Sequence, residues 1–318
     1  MGAKVDIEKL SAWKGRSETL EDVVTTYPVA AMSATLDRDD PKLGHGDVLP
    51  DLWHWMYFLP VHRQSEIGPD GHARRGGFLP PVELPRRMWA GSRFEFRQPL
   101  RVGDTIKRTS TIFDVTAKSG ATGQLVFVSL RHEISSSSGG SFTEEQDIVY
   151  RDMPNPGDKP PPPKPAPESA AWSRDIHPDE VLLFRYSALT FNGHRIHYDR
   201  KYVTEVEGYP GLIVHGPLIA TLLVDLARRN EPRRLESFRF RAMSPLFDIA
   251  PFSVRGAPST DGGSAKLWAR NAQGGLAMEA ERHKQPGDGR CDSDRRRGSP
   301  GRFRAPAFLG HRPDRTVP

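Results

Sequence analysis

A proline-rich segment in the middle of the chain sets the strongest limit on how this protein can fold. The fifteen residues 153–167 include eight prolines. Because proline fixes φ and has no amide proton to donate, such a segment excludes helix interiors and central strands. It favours an extended, semi-rigid linker. We therefore predict a linker at 151–169 between an N-terminal unit, 1–150, and a C-terminal unit, 170–284.

The last residues, 285–318, differ in composition from those before them. They include eight arginines and four aspartates, and they contain few large apolar side chains. Such a segment cannot bury enough apolar surface to offset the entropy lost on ordering. The composition predicts a disordered basic tail. Its abrupt onset after a strand-like segment is typical of a misjoined C-terminus, and a genuine basic arm is the alternative.

Charge and cysteine content exclude several classes of protein. The formal net charge is +5, of which the tail carries +4, so the remaining chain is close to neutral and a nucleic-acid partner is not expected. No run approaches the roughly 20 apolar residues of a membrane span, and charged residues stand where a secretory signal would be apolar. We therefore expect a cytoplasmic protein without membrane contact. The single cysteine, Cys291, excludes an internal disulfide framework.

The two units share an order of elements. In the first, helical patterns at 5–13 and 19–27 and an apolar, helix-like segment at 51–59 precede alternating strand patterns typical of an antiparallel meander. In the second, an apolar helix at 217–229 precedes strand-like segments. Phe94-x-Phe96 also has a counterpart in Phe238-x-Phe240. This shared order predicts a duplicated α+β unit.

The densest cluster of polar residues lies at 186–199, just before the apolar helix. It contains His194 and His197, and His215 follows directly before the helix. Histidine can accept and donate protons near neutral pH, so all three are acid–base candidates. A helix that begins near Gly216 presents unpaired amides that would stabilise an oxyanion. The same three histidines could ligate zinc, but carboxylate or cysteine support is thin and we predict no metal.

The segment 186–199, together with 89–91 and 99–104, resembles the MaoC-like family of hot-dog proteins. Its similarity is greatest to the branch that contains the type 2 hydroxyacyl-thioester dehydratases and the mesaconyl-C4-CoA and itaconyl-CoA hydratases. The family signature D-x-N-P-x-H places its last histidine on His197. Its other defined positions fall on Asn192, His194 and Arg195, where this chain departs from the signature.

The resemblance implies a double hot-dog fold, two units each of a curled antiparallel sheet around a central helix. It implies a hydro-lyase that adds water to, or removes it from, a CoA or acyl-carrier-protein thioester, without a cofactor; a homodimer is compatible with it. His197 would be the acid–base residue, and Asn192 would orient water without accepting a proton. His194, His215 and Gly216 would bind substrate.

Several alternatives stay open. The N-terminal unit is expected to form a wall of the acyl tunnel and to supply no chemistry, although a carboxylate from elsewhere in the chain could assist His197. A hot-dog acyl-CoA thioesterase and a non-catalytic acyl-thioester-binding protein are the alternative functions.

Overall fold

The computed structural model describes residues 5–120, 123–153 and 161–285. In this part of the chain ten strands form one sheet, in which every pair of neighbours is antiparallel. The strands are β1 (Ser17–Val23), β2 (Arg86–Gln98), β3 (Thr105–Gly120), β4 (Gly123–Ser136), β5 (Ser141–Arg151), β6 (Trp172–Ile176), β7 (Leu235–Ala242), β8 (Phe252–Pro258), β9 (Ser264–Asn271) and β10 (Leu276–Lys284).

The strand order shows the duplication. The sheet runs β1-β3-β4-β5-β2-β7-β10-β9-β8-β6, so each half places its first strand at an outer edge and its second strand at the centre. The predicted antiparallel meander is present in β3, β4 and β5, but β2 pairs with β5 and with β7 of the other half. The expectation of two curled antiparallel sheets is confirmed, and their central strands join them into one.

The two Phe-x-Phe motifs meet at this junction. Phe94 of β2 is paired with Phe238 of β7, and their ring centroids are 6.1 Å apart. Close to them, a Cβ atom on Gly91 would lie 2.4 Å from the carbonyl oxygen of Phe240, so only glycine permits the two strands to approach at this point. The repeat noted in the sequence therefore marks the seam between the halves.

The helices are α1 (Ile7–Ser11), α2 (Thr26–Thr35), α3 (Glu180–Leu189) and α4 (Gly216–Asn230). In α4, ten consecutive residues from Leu218 to Ala227 are buried, and the helix packs on β6, β8, β9 and β10. Pro217 lies in its first turn, where a missing amide proton costs nothing, and arginines occupy its last turn, where they complement the helix dipole. The predicted apolar helix is therefore present and is the central helix of the second half.

Two local predictions in the first half are wrong. The apolar segment 51–59 forms only a single 3-10 turn, Trp53–Met56, between Leu52 and Phe58, which both have positive φ values of 67° and 54°. Left-handed backbone at Leu52 and at Phe58 breaks helical geometry on both sides of the turn, although the apolar side chains alone would favour a helix. The segment 19–27 forms most of β1 and the start of α2, because pairing with β3 outweighs its local pattern.

The end of the proline-rich segment lies against the second half. Ala166 is buried, and its amide donates to the carbonyl of Gly274. Residues 154–160 lie outside the described part. The predicted tail, 285–318, also lies outside it apart from Gln285, and β10 continues to Lys284, directly before the start of the predicted tail. None of the helices in the described ranges has the length and apolar composition needed to cross a bilayer.

Candidate active site

The candidate site is assembled where the loop after α3 meets the start of α4. This loop turns back at Phe191, whose φ is 49°, and then forms the 3-10 turn Arg195–His197. His215 is the residue immediately before α4. The structure therefore brings together the three histidines that the sequence singled out, and all three are buried.

His197 has one ring nitrogen fixed by the backbone. Its Nδ1 lies 2.7 Å from the carbonyl oxygen of Ile213, an atom that can only accept, so Nδ1 carries the proton and donates it. The lone pair is then on Nε2. Burial lowers the pKa of His197 from 6.5 to about 4, so the ring is neutral near pH 7. A neutral imidazole with a free Nε2 is able to accept a proton.

His215 is stacked on His197. The two ring centroids are 3.7 Å apart and the planes differ by 18°. Nε2 of His215 lies 2.8 Å from the hydroxyl of Ser187, whereas its buried Nδ1 has no hydrogen-bond partner among the described residues. Burial, followed by the neighbouring His197 and His194, keeps the pKa of His215 well below 6.5. His215 is therefore neutral near pH 7, like His197.

The start of α4 is open beside Gly216. A Cβ atom placed on Gly216 would meet no described atom within 4 Å. The first amides of the helix have no partners within the helix, and they stand at the positive end of its dipole. A carbonyl oxygen could therefore approach the backbone next to His215.

Asn192 serves the loop that carries His194. Its side-chain oxygen accepts from the backbone amide of His194 at 3.0 Å, and its backbone amide donates to the carbonyl of Ser187 at 2.8 Å. Asp199 is used in a similar way, because it accepts from the amide of Tyr202 at 3.0 Å and pairs with Arg195 at 2.7 Å. Both side chains hold the loop in place.

His194 contacts a second histidine that sequence reasoning missed. Its ring centroid is 5.6 Å from that of His197, and it is 4.0 Å from that of His72 in the first half of the chain. His72 is hydrogen-bonded to Asp70 at 3.0 Å. The first half, expected to supply no chemistry, thus places a carboxylate and an imidazole against the site. The only local signal for them is the short motif Asp70-Gly-His72 in a glycine- and proline-rich stretch.

The residues that the structure groups at metal-binding distance are not the three histidines that the sequence offers as zinc ligands. Nδ1 of His197 and Nε2 of His215 are engaged with the backbone and with Ser187. In the described ranges, the three residues whose ligand atoms all lie within 4.8 Å of one another are Asp70, His72 and His194.

The repeated strand order and the central helix of the second half define a hot-dog protein. HtdX of Mycobacterium tuberculosis, whose crystal structure is known, superimposes with a TM-score of 0.61 at 18% identity, over 85% of this chain and all of that chain. This similarity confirms the fold.

The family follows from sequence similarity. The model of the hydroxyacyl-thioester dehydratase type 2 family matches residues 52–248, and this chain belongs to that family. The chain is 46% identical to the mesaconyl-C(4)-CoA hydratase of Chloroflexus aurantiacus over 269 residues, 85% of this chain and 95% of that protein. It is 26% identical to the mitochondrial hydroxyacyl-thioester dehydratase type 2 of Schizosaccharomyces pombe, over 74% of this chain and 88% of that one. The predicted hydro-lyase activity on an acyl thioester is thereby confirmed.

Proposed function

We propose that this enzyme hydrates a short enoyl-CoA of the mesaconyl-C4-CoA type, with His197 as the acid–base residue. The observation that carries this proposal is the hydrogen bond from Nδ1 of His197 to Ile213, which leaves Nε2 unprotonated in a buried ring near the open start of α4. The substrate class is supported by the 46% identity to the Chloroflexus mesaconyl-C(4)-CoA hydratase.

The start of α4 would bind the thioester. The thioester carbonyl oxygen accepts hydrogen bonds from amides near Gly216, and the dipole of α4 favours the negative charge that develops on this oxygen. Because Pro217 has no amide proton, the amides available are those around it. His215, His194 and Gly216 then form the surroundings of the bound acyl group.

His197 would move the proton. As the water oxygen bonds to the β-carbon, Nε2 accepts a proton from that water, and the π electrons of the alkene move to form an enolate. The α-carbon of the enolate then takes the proton back from His197, so one water is added and His197 returns to its neutral form. The developing enolate charge favours the imidazolium and offsets the effect of burial on the His197 pKa. Asn192, whose oxygen is used inside the loop, is left to orient water through its amide nitrogen.

The test is to incubate the purified protein with mesaconyl-C4-CoA, itaconyl-CoA and crotonyl-CoA. We expect the enoyl-thioester absorbance to fall and the product mass to rise by one water. Release of free CoA with the alkene intact would replace the proposal with a thioesterase. Binding without turnover of any of the three would replace it with the non-catalytic alternative. A His197→Gln variant, which we expect to bind a saturated acyl-CoA without hydrating an enoyl-CoA, serves as the control for the site.

The carrier and the oligomeric state stay predictions. The same assay with an acyl-carrier-protein thioester distinguishes the two carriers, since only the preferred one supports turnover at low concentration. Light scattering of the purified chain tests for the homodimer.

A further inference from the structure

We propose that Asp70 and His72 form a carboxylate–imidazole pair that positions His194, so that both halves of the chain build one active site. This inference rests on the proposed function and extends it to residues of the first half. Asp70 and His72 are positioning residues in this scheme, because they act through His194.

Two hydrogen bonds fix the pair. Oδ2 of Asp70 accepts from Nδ1 of His72 at 3.0 Å, and Oδ1 of Asp70 accepts from the amide of His72 at 3.0 Å. Burial would raise the pKa of Asp70, but the hydrogen bonds from His72 lower it below its ordinary value, so the carboxylate is charged. A charged acceptor at Nδ1 holds the proton there and directs the lone pair of His72 to Nε2. Ring orientation and tautomer of His72 are thus set by Asp70.

The loop that carries the pair lies directly against the loop after α3 that carries His194 and His197, here called the histidine loop. The carbonyl of Asp70 accepts from the amide of Arg195 at 2.9 Å, and the carbonyl of Pro69 accepts from the Arg195 guanidinium at 2.9 Å. A Cβ atom on Gly71, whose φ is 89°, would lie 1.8 Å from the carbonyl oxygen of Gly193. Only glycine permits this crossing of the two backbones. The close contact between the two loops therefore depends on glycine at position 71.

The rings form a continuous series from Asp70 to the start of α4. His72 packs on His194 with 4.0 Å between centroids, His194 meets His197 edge to face at 5.6 Å, and His197 stacks on His215 at 3.7 Å. A change in the orientation of His72 therefore reaches His194 directly and His197 through it.

The surrounding charge favours a hydrogen-bonded pair over a metal site. Burial, and then the positive charges of Arg87 and Arg75, lower the pKa of His72 despite its bond to Asp70. The positive charge of Arg87 also lowers the pKa of His194. A divalent cation among Asp70, His72 and His194 would be repelled by these guanidiniums. The surrounding charge therefore favours the hydrogen-bonded pair without a metal ion.

The experiment compares Asp70→Asn, Asp70→Glu, and Asp70→Asn combined with His194→Gln, in the full-length chain with the enoyl-CoA that the wild type hydrates. Loss of a carboxylate that orients a metal-bound histidine typically costs about 10–100-fold in affinity or activity. We expect a loss of the same order in kcat/KM for Asp70→Asn, with Tm nearly unchanged. Asp70→Glu should recover part of it. In the His194→Gln background, Asp70→Asn should cost nothing further.

Glu281→Gln is the matched control, because Glu281 is a carboxylate beside His283 on a partly exposed strand and should leave kcat unchanged. Multiplicative losses in the double variant would overturn the inference. So would a stoichiometric metal ion in the wild type that is lost in Asp70→Asn.

A second measurement separates this inference from the proposed function. In ¹⁵N-histidine NMR spectra, His72 should be the Nδ1–H tautomer, and Asp70→Asn should shift the ring nitrogens of both His72 and His194. Absence of turnover on every enoyl-CoA would refute the proposed function. An unchanged His194 signal in Asp70→Asn would refute the positioning role, whatever the activity.

Discussion

Acid should destabilise this protein through its buried histidines, and His197 accounts for a defined part of the effect. Burial lowers the pKa of His197 from 6.5 to about 4, so the unfolded chain binds a proton more readily than the folded one. The stability that depends on the neutral ring is present above pH 6.5 and is lost as the pH falls toward 4. The full difference corresponds to about 3 kcal/mol, of which about 2 kcal/mol is lost already at pH 5.

Urea unfolding at pH 7.5 and at pH 5 measures this loss in the wild type and in His197→Gln. Glutamine does not titrate, so the decrease in the free energy of unfolding between the two pH values should be smaller in the variant by about 2 kcal/mol. The comparison cancels what the distant carboxylates contribute to both proteins. His197 itself lowers the pKa of His194 and His215, so their contributions add to the difference in the same direction. Equal decreases in both would refute the argument that His197 is buried in its neutral form.

Four further outcomes are expected. His197→Ala should lower turnover by about 10²–10⁴-fold while binding of a saturated acyl-CoA persists, as measured by steady-state kinetics and calorimetry. Extensive chelation should leave activity unchanged, and loss of activity together with stoichiometric zinc would contradict this. Asp225→Ala should cost about 3 kcal/mol in urea unfolding, because the carboxylate is buried in α4 and pairs with three arginines, of which, among the described residues, Arg38 alone keeps a second carboxylate, Asp40. Truncation after Gln285 should leave Tm within a few degrees, since the composition of the tail offers no packed core; a large loss of stability or solubility would contradict this.

The features predicted correctly from the sequence are those with a strong local signal. The apolar run after Gly216 forms α4, and the alternating patterns form β3, β4 and β5. The histidine loop also lies beside the helix start, as its position in the chain indicates. The failures have a physical reason as well. Left-handed backbone at Leu52 and Phe58 limits the segment 51–59 to one turn, and β1 is a strand because β3 pairs with it.

The carboxylate end of the site could not be predicted from local pattern. Asp70 and His72 lie about 120 residues before His194 in the chain. A short Asp-Gly-His motif in a turn-rich stretch is typical of an ordinary loop, and nothing in it indicates a contact with the second half. The contact arises only because the two loops cross at Gly71 and Gly193.

Further contacts join the two halves of the chain at positions away from the crossing loops. The halves share the β2–β7 pairing, and Arg38 of the first half pairs with Asp225 in the central helix of the second. The loops that cross at Gly71 and Gly193 add to these contacts. Through them His72 of the first half packs on His194 of the second, so the proposed site depends on the same packing of the two halves that the β2–β7 pairing maintains.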